Sequence, residues 1–250
     1  MDEPKILQGA EPFYAEGGRT GILVSHGFTG CPHSMRYLAE HLAQAGYTVV
    51  VPRLKGHGTT VADMATSTAT DWITDLHSAL SWLQQRCDTF FMTGLSMGGT
   101  LTLFMAGQYP GLFKGILPIN PLIFTNNPDL ASLAYMVHGP AEIPGIGSDI
   151  KAPGVTELAY AATPVPTIKE LFALAKVTDE LLPRIAIPTL IFVSREDHVV
   201  LPANTEYILN KISSTEKRQL WLEESYHVAT LDNDKDIIVQ ESLVFLQAHT

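Results

Sequence analysis

The sequence predicts a single α/β domain: a mostly parallel central sheet with helices on both faces and an inserted cap. Three observations predict it. From residue 21 onward, short β-branched or aromatic runs alternate with longer stretches of helical period. Several of those runs are apolar almost throughout, as strands covered on both faces must be. The alternation is interrupted once, between about 121 and 176. At 250 residues the chain can bury one sizeable core, and α/β folds of this length stay in one domain.

The strands are expected at 21–25, 47–52, 89–93, 115–119, 188–193 and 218–222. The clearest helix is 71–86, where Trp72, Leu76, Ala79, Leu80 and Leu83 repeat at helical spacing behind Thr70 as N-cap. Similar periodicity marks 34–45, 100–107, 203–212 and 236–248. The interruption gathers seven of the sixteen prolines, Pro121, Pro128, Pro140, Pro144, Pro153, Pro164 and Pro166. Proline restricts its own φ and its predecessor, so short helices and irregular connections are expected there. A long segment of this kind inside a compact domain is read as a cap over a substrate site.

Charge and motif content exclude several functions. Sixteen basic against 26 acidic residues give a net charge of −10, which repels phosphate backbones, so no nucleic-acid partner is expected. The N-terminus lacks a basic region followed by an apolar core, and no 18-residue apolar run is present; a soluble, cytoplasmic protein is expected. Cys31 and Cys87 are too few for a disulfide framework and are read as reduced thiols. The 53–58 loop, RLKGHG, has neither a P-loop nor a dinucleotide pattern and is read as structural. No HExxH or comparable cluster is present, so neither metal nor cofactor is expected.

Gly94-Leu95-Ser96-Met97-Gly98-Gly99 follows a strand and opens a helical stretch, the context of a nucleophile elbow. Such a serine sits on a strained turn, and glycines are needed where a Cβ would strike the neighbouring strand or helix. A serine hydroxyl is a weak nucleophile and needs an adjacent base. Of nine histidines, His227 alone follows the last strand and precedes the terminal helix. The orienting carboxylate is expected after the strand at 188–193, where Asp197 is the first choice and Glu196 its rival; His198 is read as structural. Attack on an ester needs preorganised donors for the oxyanion. The backbone N–H groups of Phe28, in His26-Gly27-Phe28-Thr29-Gly30, and of Met97 suit that role.

The order Ser96, Asp197, His227 is the one expected of α/β-hydrolases. HGFTG at 26–30, PRLKGHGT at 52–59, TGLSMGGTLTL at 93–103, FVSREDHVV at 192–200 and SYHVATLD at 225–232 together resemble the small bacterial monoacylglycerol lipases and related thermostable carboxylesterases. The resemblance covers nearly the whole chain. It implies an α/β-hydrolase that cleaves a small lipid ester, a monoacylglycerol, to fatty acid and glycerol through an acyl-enzyme, with general carboxylesterase action as the alternative. It also implies an apolar acyl tunnel beneath the cap and a polar glycerol pocket, where Glu157, in the run 146–164, matches the family's substrate-side glutamate. The chain departs from the family between 122 and 143, the stretch that would shape the tunnel. Leu122, Ile123, Phe124, Leu130, Leu133, Ala134, Met136 and Val137 make the cap apolar enough to meet lipid aggregates transiently.

Overall fold

The computed structural model describes residues 4–125, 127–133, 136 and 139–250. Strand β1 (Phe13–Ala15) leads into β2 (Thr20–Ser25), α1 (His33–Gln44) and β3 (Thr48–Val51). The short α2 (Val61–Met64) and α3 (Ala69–Gln84) precede β4 (Thr89–Leu95), α4 (Met97–Gln108) and β5 (Gly115–Ile119). Then come α5 (Pro128–Leu133), the paired strands β6 (Glu142–Pro144) and β7 (Ala162–Pro164), and α6 (Val165–Leu181). Strand β8 (Thr189–Ser194), α7 (Ala203–Lys211), β9 (Lys217–Leu222) and α8 (Lys235–His249) complete the chain.

The seven-stranded sheet has the order β1-β3-β2-β4-β5-β8-β9, parallel except for β1. Side chains alternate between two cores. Ile22, Val24, Val49, Phe91, Leu117 and Phe192 pack on the α1 and α8 side, while Leu23, Val50, Met92, Ile116 and Ile191 pack on the α3, α4 and α6 side. Both faces are covered, which is why these strands read as continuous apolar runs. The strand order reverses between β2 and β4, and ligands in such sheets bind outside the carboxyl ends of the strands at that reversal.

The six expected strands all form, with ends displaced by one or two residues. Strand β1, short and on the sheet edge, was not expected. Helix α3 carries its buried stripe on Trp72, Leu76, Ala79, Leu80 and Leu83. Its cap is Thr68 rather than Thr70: the Thr68 hydroxyl accepts the Asp71 N–H, and the Asp71 carboxylate accepts the Thr68 N–H at 2.9 Å. Thr70 is already inside the helix.

The proline-rich segment is more regular than its composition predicts. Helix α6 runs for 17 residues, and Pro166 lies in its first turn, where the missing N–H would have had no helical partner anyway. Val165, Ile168, Leu171, Leu174 and Ala175 bury one face of α6, which packs against α4 as the crossover from β5 to β8. The boundary expected near 176 therefore falls inside a sheet-covering helix. Above the strand ends, Val165 and Ile168 gather Phe28, Leu130, Leu133, Ile143 and Phe172 into a small cap core. Leu122 and Ile123 belong to the main core instead of the cap surface; Ala134 and Val137 lie outside the described residues. No described helix is long and apolar enough to cross a membrane.

Candidate active site

Strand β4 turns into α4 through Ser96, whose φ of 56° and ψ of −116° lie outside both regular regions. Glycines make that turn possible. A Cβ on Gly94 would lie 2.4 Å from the Gly98 carbonyl oxygen, and one on Gly98 would lie 2.3 Å from that of Ser25. Strand, turn and helix thus come closer together than any side chain allows. The turn is held below by Ser96 N–H donating to the Ile119 carbonyl at 2.9 Å.

Beside it, the 26–30 loop leaves β2. Gly27, Phe28 and Thr29 line the same cavity as Ser96. Among the described residues, neither the Phe28 nor the Met97 N–H has a hydrogen-bond acceptor; Met97 opens α4, whose first amides have no intrahelical partner. The loop is pinned through His26, whose Nδ1–H donates to the Gly27 carbonyl at 2.9 Å while Nε2 accepts the Leu54 N–H at 3.1 Å. Full burial depresses the His26 pKa well below the usual histidine range, so the ring stays neutral and keeps Nε2 as an acceptor. The 53–58 loop has the supporting role expected of it. Thr29 has a φ of 62°, unusual for a β-branched residue, and its carbonyl accepts the N–H of Tyr160 from the cap at 3.2 Å.

His227 lies between β9 and α8 and lines the Ser96 cavity. Its Nδ1 bonds Asp197 Oδ2 at 2.8 Å. The other Asp197 oxygen accepts the N–H groups of Val199 and Val200 at 2.9 and 2.7 Å, so the carboxylate cannot turn away from the ring. With Nδ1 as donor, Nε2 is left as the acceptor on the cavity side. Burial alone would depress the imidazole pKa, but the Asp197 charge and hydrogen bond outweigh it and leave the value raised. Glu196, the rival carboxylate, points to solvent beside Lys151, 3.8 Å away. His198 is exposed and bonds Asp149.

The cavity walls are apolar, with Leu122, Leu130, Ile143, Ile168, Leu171 and Phe172 among them, and Glu157 is the carboxylate exposed to its interior. Burial pushes the Glu157 carboxyl up to about 7, against a smaller downward pull from His227. Gly30 makes its room: a Cβ there would lie 2.5 Å from Glu157 Oε1. Among the described residues, no group of His, Cys, Asp and Glu could hold a metal ion.

Asn120 carries no sequence signal beyond its place at the end of a central strand. Its φ is 44°, its Nδ2 donates to the His227 carbonyl at 2.8 Å and to Ser194 Oγ at 3.0 Å, and its Oδ1 accepts the Ser194 N–H. Asp149 and Asp232 bond groups about 80 residues away, a pairing invisible to local pattern.

Known proteins resemble this chain in sequence and in fold. A family model described as serine aminopeptidase, S33 (Hydrolase_4), matches residues 18–141 and 151–234. The chain is 52% identical over 248 residues to a thermostable monoacylglycerol lipase of Bacillus sp. (strain H-257), covering 98% of this chain and 97% of that protein. It is 26% identical to a carboxylesterase of Bacillus subtilis (strain 168), covering 95% and 96% respectively. A solved chain from LipS and LipT, two metagenome-derived lipolytic enzymes, superposes with a TM-score of 0.97 at 61% identity, covering 98% of this chain and all of that one. The Paleococcus ferrophilus monoacylglycerol lipase shares the fold, with a TM-score of 0.82 at 16% identity, covering 96% and 98%. The chain belongs to this serine aminopeptidase S33 family of α/β-hydrolases.

Proposed function

We propose that this chain hydrolyses monoacylglycerols to fatty acid and glycerol, with Ser96 as nucleophile, His227 as general base and Asp197 as the group that orients it. The observation that carries the reading is the shared cavity: a strained Ser96 and an Asp197-bonded His227 open into a chamber with apolar walls and the half-buried Glu157 carboxyl. Ser96 Oγ attacks the ester carbonyl while His227 Nε2 takes its proton. The Phe28 and Met97 N–H groups receive the oxyanion; one such donor is worth about 2.7–4 kcal/mol in serine hydrolases. The imidazolium returns the proton to the departing glycerol oxygen, and water deprotonated by the same ring then releases the fatty acid. The acyl chain lies along the walls formed by Leu130, Ile143, Ile168 and Phe172, and Glu157 faces the glycerol hydroxyls.

The 250 residues act as one domain in which 121–164 forms the cap and α6 belongs to the sheet layer. Ile146 and Leu201, 51% and 43% exposed, line a surface pocket that shares Leu130, Ile146 and Val199 with the Ser96 cavity, while Met136 is an exposed cap residue. These side chains support transient contact with lipid aggregates by a protein that works in the cytoplasm.

The test is initial-rate hydrolysis of a long-chain 1-monoacylglycerol beside matched di- and triacylglycerols, a short p-nitrophenyl ester and an aminoacyl p-nitroanilide. Dominant monoacylglycerol turnover, abolished in Ser96→Ala, is expected. Preference for the short ester would favour the general carboxylesterase reading, consistent with the Bacillus subtilis relative. Preference for the anilide would favour the peptidase chemistry named by the family.

A further inference from the structure

The 146–152 strip of the cap folds back onto the strand ends that carry Asp197 and His227, and one carboxylate joins all three segments. Asp149 Oδ2 accepts the backbone N–H of His227 at 3.1 Å and that of His198, the residue after Asp197, at 3.2 Å. Its Oδ1 bonds the His198 ring at 2.8 Å, and its carbonyl accepts the Val228 N–H at 3.0 Å. The Asp149 side chain is only 15% exposed, although the His198 side chain it bonds is 61% exposed. Asp232, itself 1% exposed, seats the same strip by accepting the N–H groups of Lys151, Ala152 and Tyr226 at 2.7–2.9 Å. From the opposite side, Asn120 Nδ2 holds the His227 carbonyl and Ser194 Oγ holds that of Tyr226, both at 2.8 Å.

One cap oxygen therefore bridges the main chain of His227 and the main chain next to Asp197, so the spacing of the two loops depends on where the cap sits. Ile146 and Gly147, three and two residues before Asp149, line the Ser96 cavity. The wall that would touch the acyl chain and the anchor of the base are parts of one short strip.

We propose that Asp149 is a positioning residue, contributed by the cap, that sets the registry of His227 against Asp197, so that the base is aligned only when the 146–152 strip is seated. The inference rests on the reading of Ser96, Asp197 and His227 as the reacting groups. Misplacing a catalytic group by about 1 Å costs roughly 10²-fold in rate. A strip that responds to the bound acyl chain would pass its position to the base through this carboxylate, beside the Asp149 carbonyl and Asp232.

The experiment compares Asp149→Ala and Asp149→Asn with the parent protein and Ser96→Ala on a short p-nitrophenyl ester. It reads kcat, KM, Tm, the pH profile of kcat/KM, and the fraction of sites labelled by a fluorophosphonate. The Asn oxygen can take the Oδ2 position and keep both backbone bonds, and the His198 ring can change tautomer to accept from the amide, so Asn removes charge while Ala removes the bonds. Asp149→Ala should lower kcat per labelled site about 10- to 100-fold with KM little changed, and Asp149→Asn should recover most of that loss. The carboxylates facing the His227 ring are Asp197, Glu157 and Asp149, each raising its pKa. Losing the Asp149 charge should therefore move the acid limb of kcat/KM to lower pH. Because Glu157 itself titrates near 7, the shift is also read in a Glu157→Gln background.

Wild-type kcat per labelled site in Asp149→Ala overturns the inference, whatever happens to Tm, and leaves Asp149 a clamp on the fold. If Asp149→Ala does not fold, Asp149→Glu decides, because it keeps the charge and lengthens the bridge: wild-type kcat per labelled site overturns the inference, and a loss of about 10-fold or more with KM little changed supports it. Substantial turnover by Ser96→Ala would remove the triad reading and the inference together. An inert Ser96→Ala beside indifferent Asp149 variants removes the inference alone.

Discussion

Replacing Gly98 by alanine would place a methyl group 2.3 Å from the Ser25 carbonyl oxygen and 2.7 Å from that of His26. Both distances are well inside ordinary contact, the first by about 1 Å. Two effects oppose each other. Alanine in a helix is favoured over glycine by about 1 kcal/mol, and Gly98 has an ordinary negative φ, so propensity alone predicts a more stable protein. The methyl, however, meets backbone in the middle of the sheet, where no side chain can rotate away, and overpacking of that kind costs about 1–3 kcal/mol or more. The clash should win. At about 2–4 °C per kcal/mol for a chain of this size, a melting temperature lower by several degrees is expected. The contact also separates the two proposed oxyanion donors: Met97 lies on the α4 side of it and Phe28 on the β2 side. Parting them by about 1 Å should lower kcat on a short soluble ester roughly 10²-fold, with a smaller effect on KM. Thermal melts and initial rates on the same preparation measure both. A Gly98→Ala protein that melts higher than the parent, or keeps its kcat, would refute the close-packing account of the turn.

Three further outcomes are expected. The Glu157 carboxyl binds its proton more tightly folded, at about 7, than unfolded, near the ordinary 4.5, so it costs no stability below about 4.5 and its full penalty above about 7. Glu157→Gln should raise Tm more at pH 8 than at pH 5, by at most about 3 kcal/mol in stability, and equal changes at the two pH values would disprove the burial penalty. Asp197→Asn should lower kcat by up to about 10⁴-fold through the wrong imidazole tautomer, while the exposed Glu196→Gln should stay within about twofold; the opposite ranking in a rate assay would exchange their roles. Asn120→Ala strands the buried His227 carbonyl and Ser194 N–H and should cost about 2–5 kcal/mol in denaturant unfolding, and a loss below about 1 kcal/mol would mean those groups find other partners.

Local sequence carried much of this molecule because its signals are short-range. A strand buried on both faces must be apolar at every position, so β2, β3, β4, β5 and β8 were legible from composition over five or six residues. The strand-to-helix turn at Ser96 needs glycine where backbone meets backbone, so Gly94 and Gly98 advertised it. Helix α6 is hidden from local pattern because proline signals a break, whereas at the first turn of a helix it is compatible with the fold. The N-cap of α3 lies two residues before the expected Thr70 because three threonines, Thr66, Thr68 and Thr70, compete locally and only the reciprocal bond with Asp71 selects one.

The sequence by itself determined the α/β class, the strand order along the chain and the residues expected to meet: Ser96, Asp197, His227 and the 26–30 loop. Each is tied to an element end by a pattern a few residues long. Tertiary structure alone decided that Asp197 turns inward and Glu196 outward, that Gly30 leaves space for the Glu157 carboxyl, and that Asn120, Asp149 and Asp232 hold the His227 loop from three directions. Most of those choices are made by hydrogen bonds between residues 30 to 107 positions apart, whose strength comes from burial. Burial is a property of the assembled sheet and cap, and no local stretch of sequence encodes it.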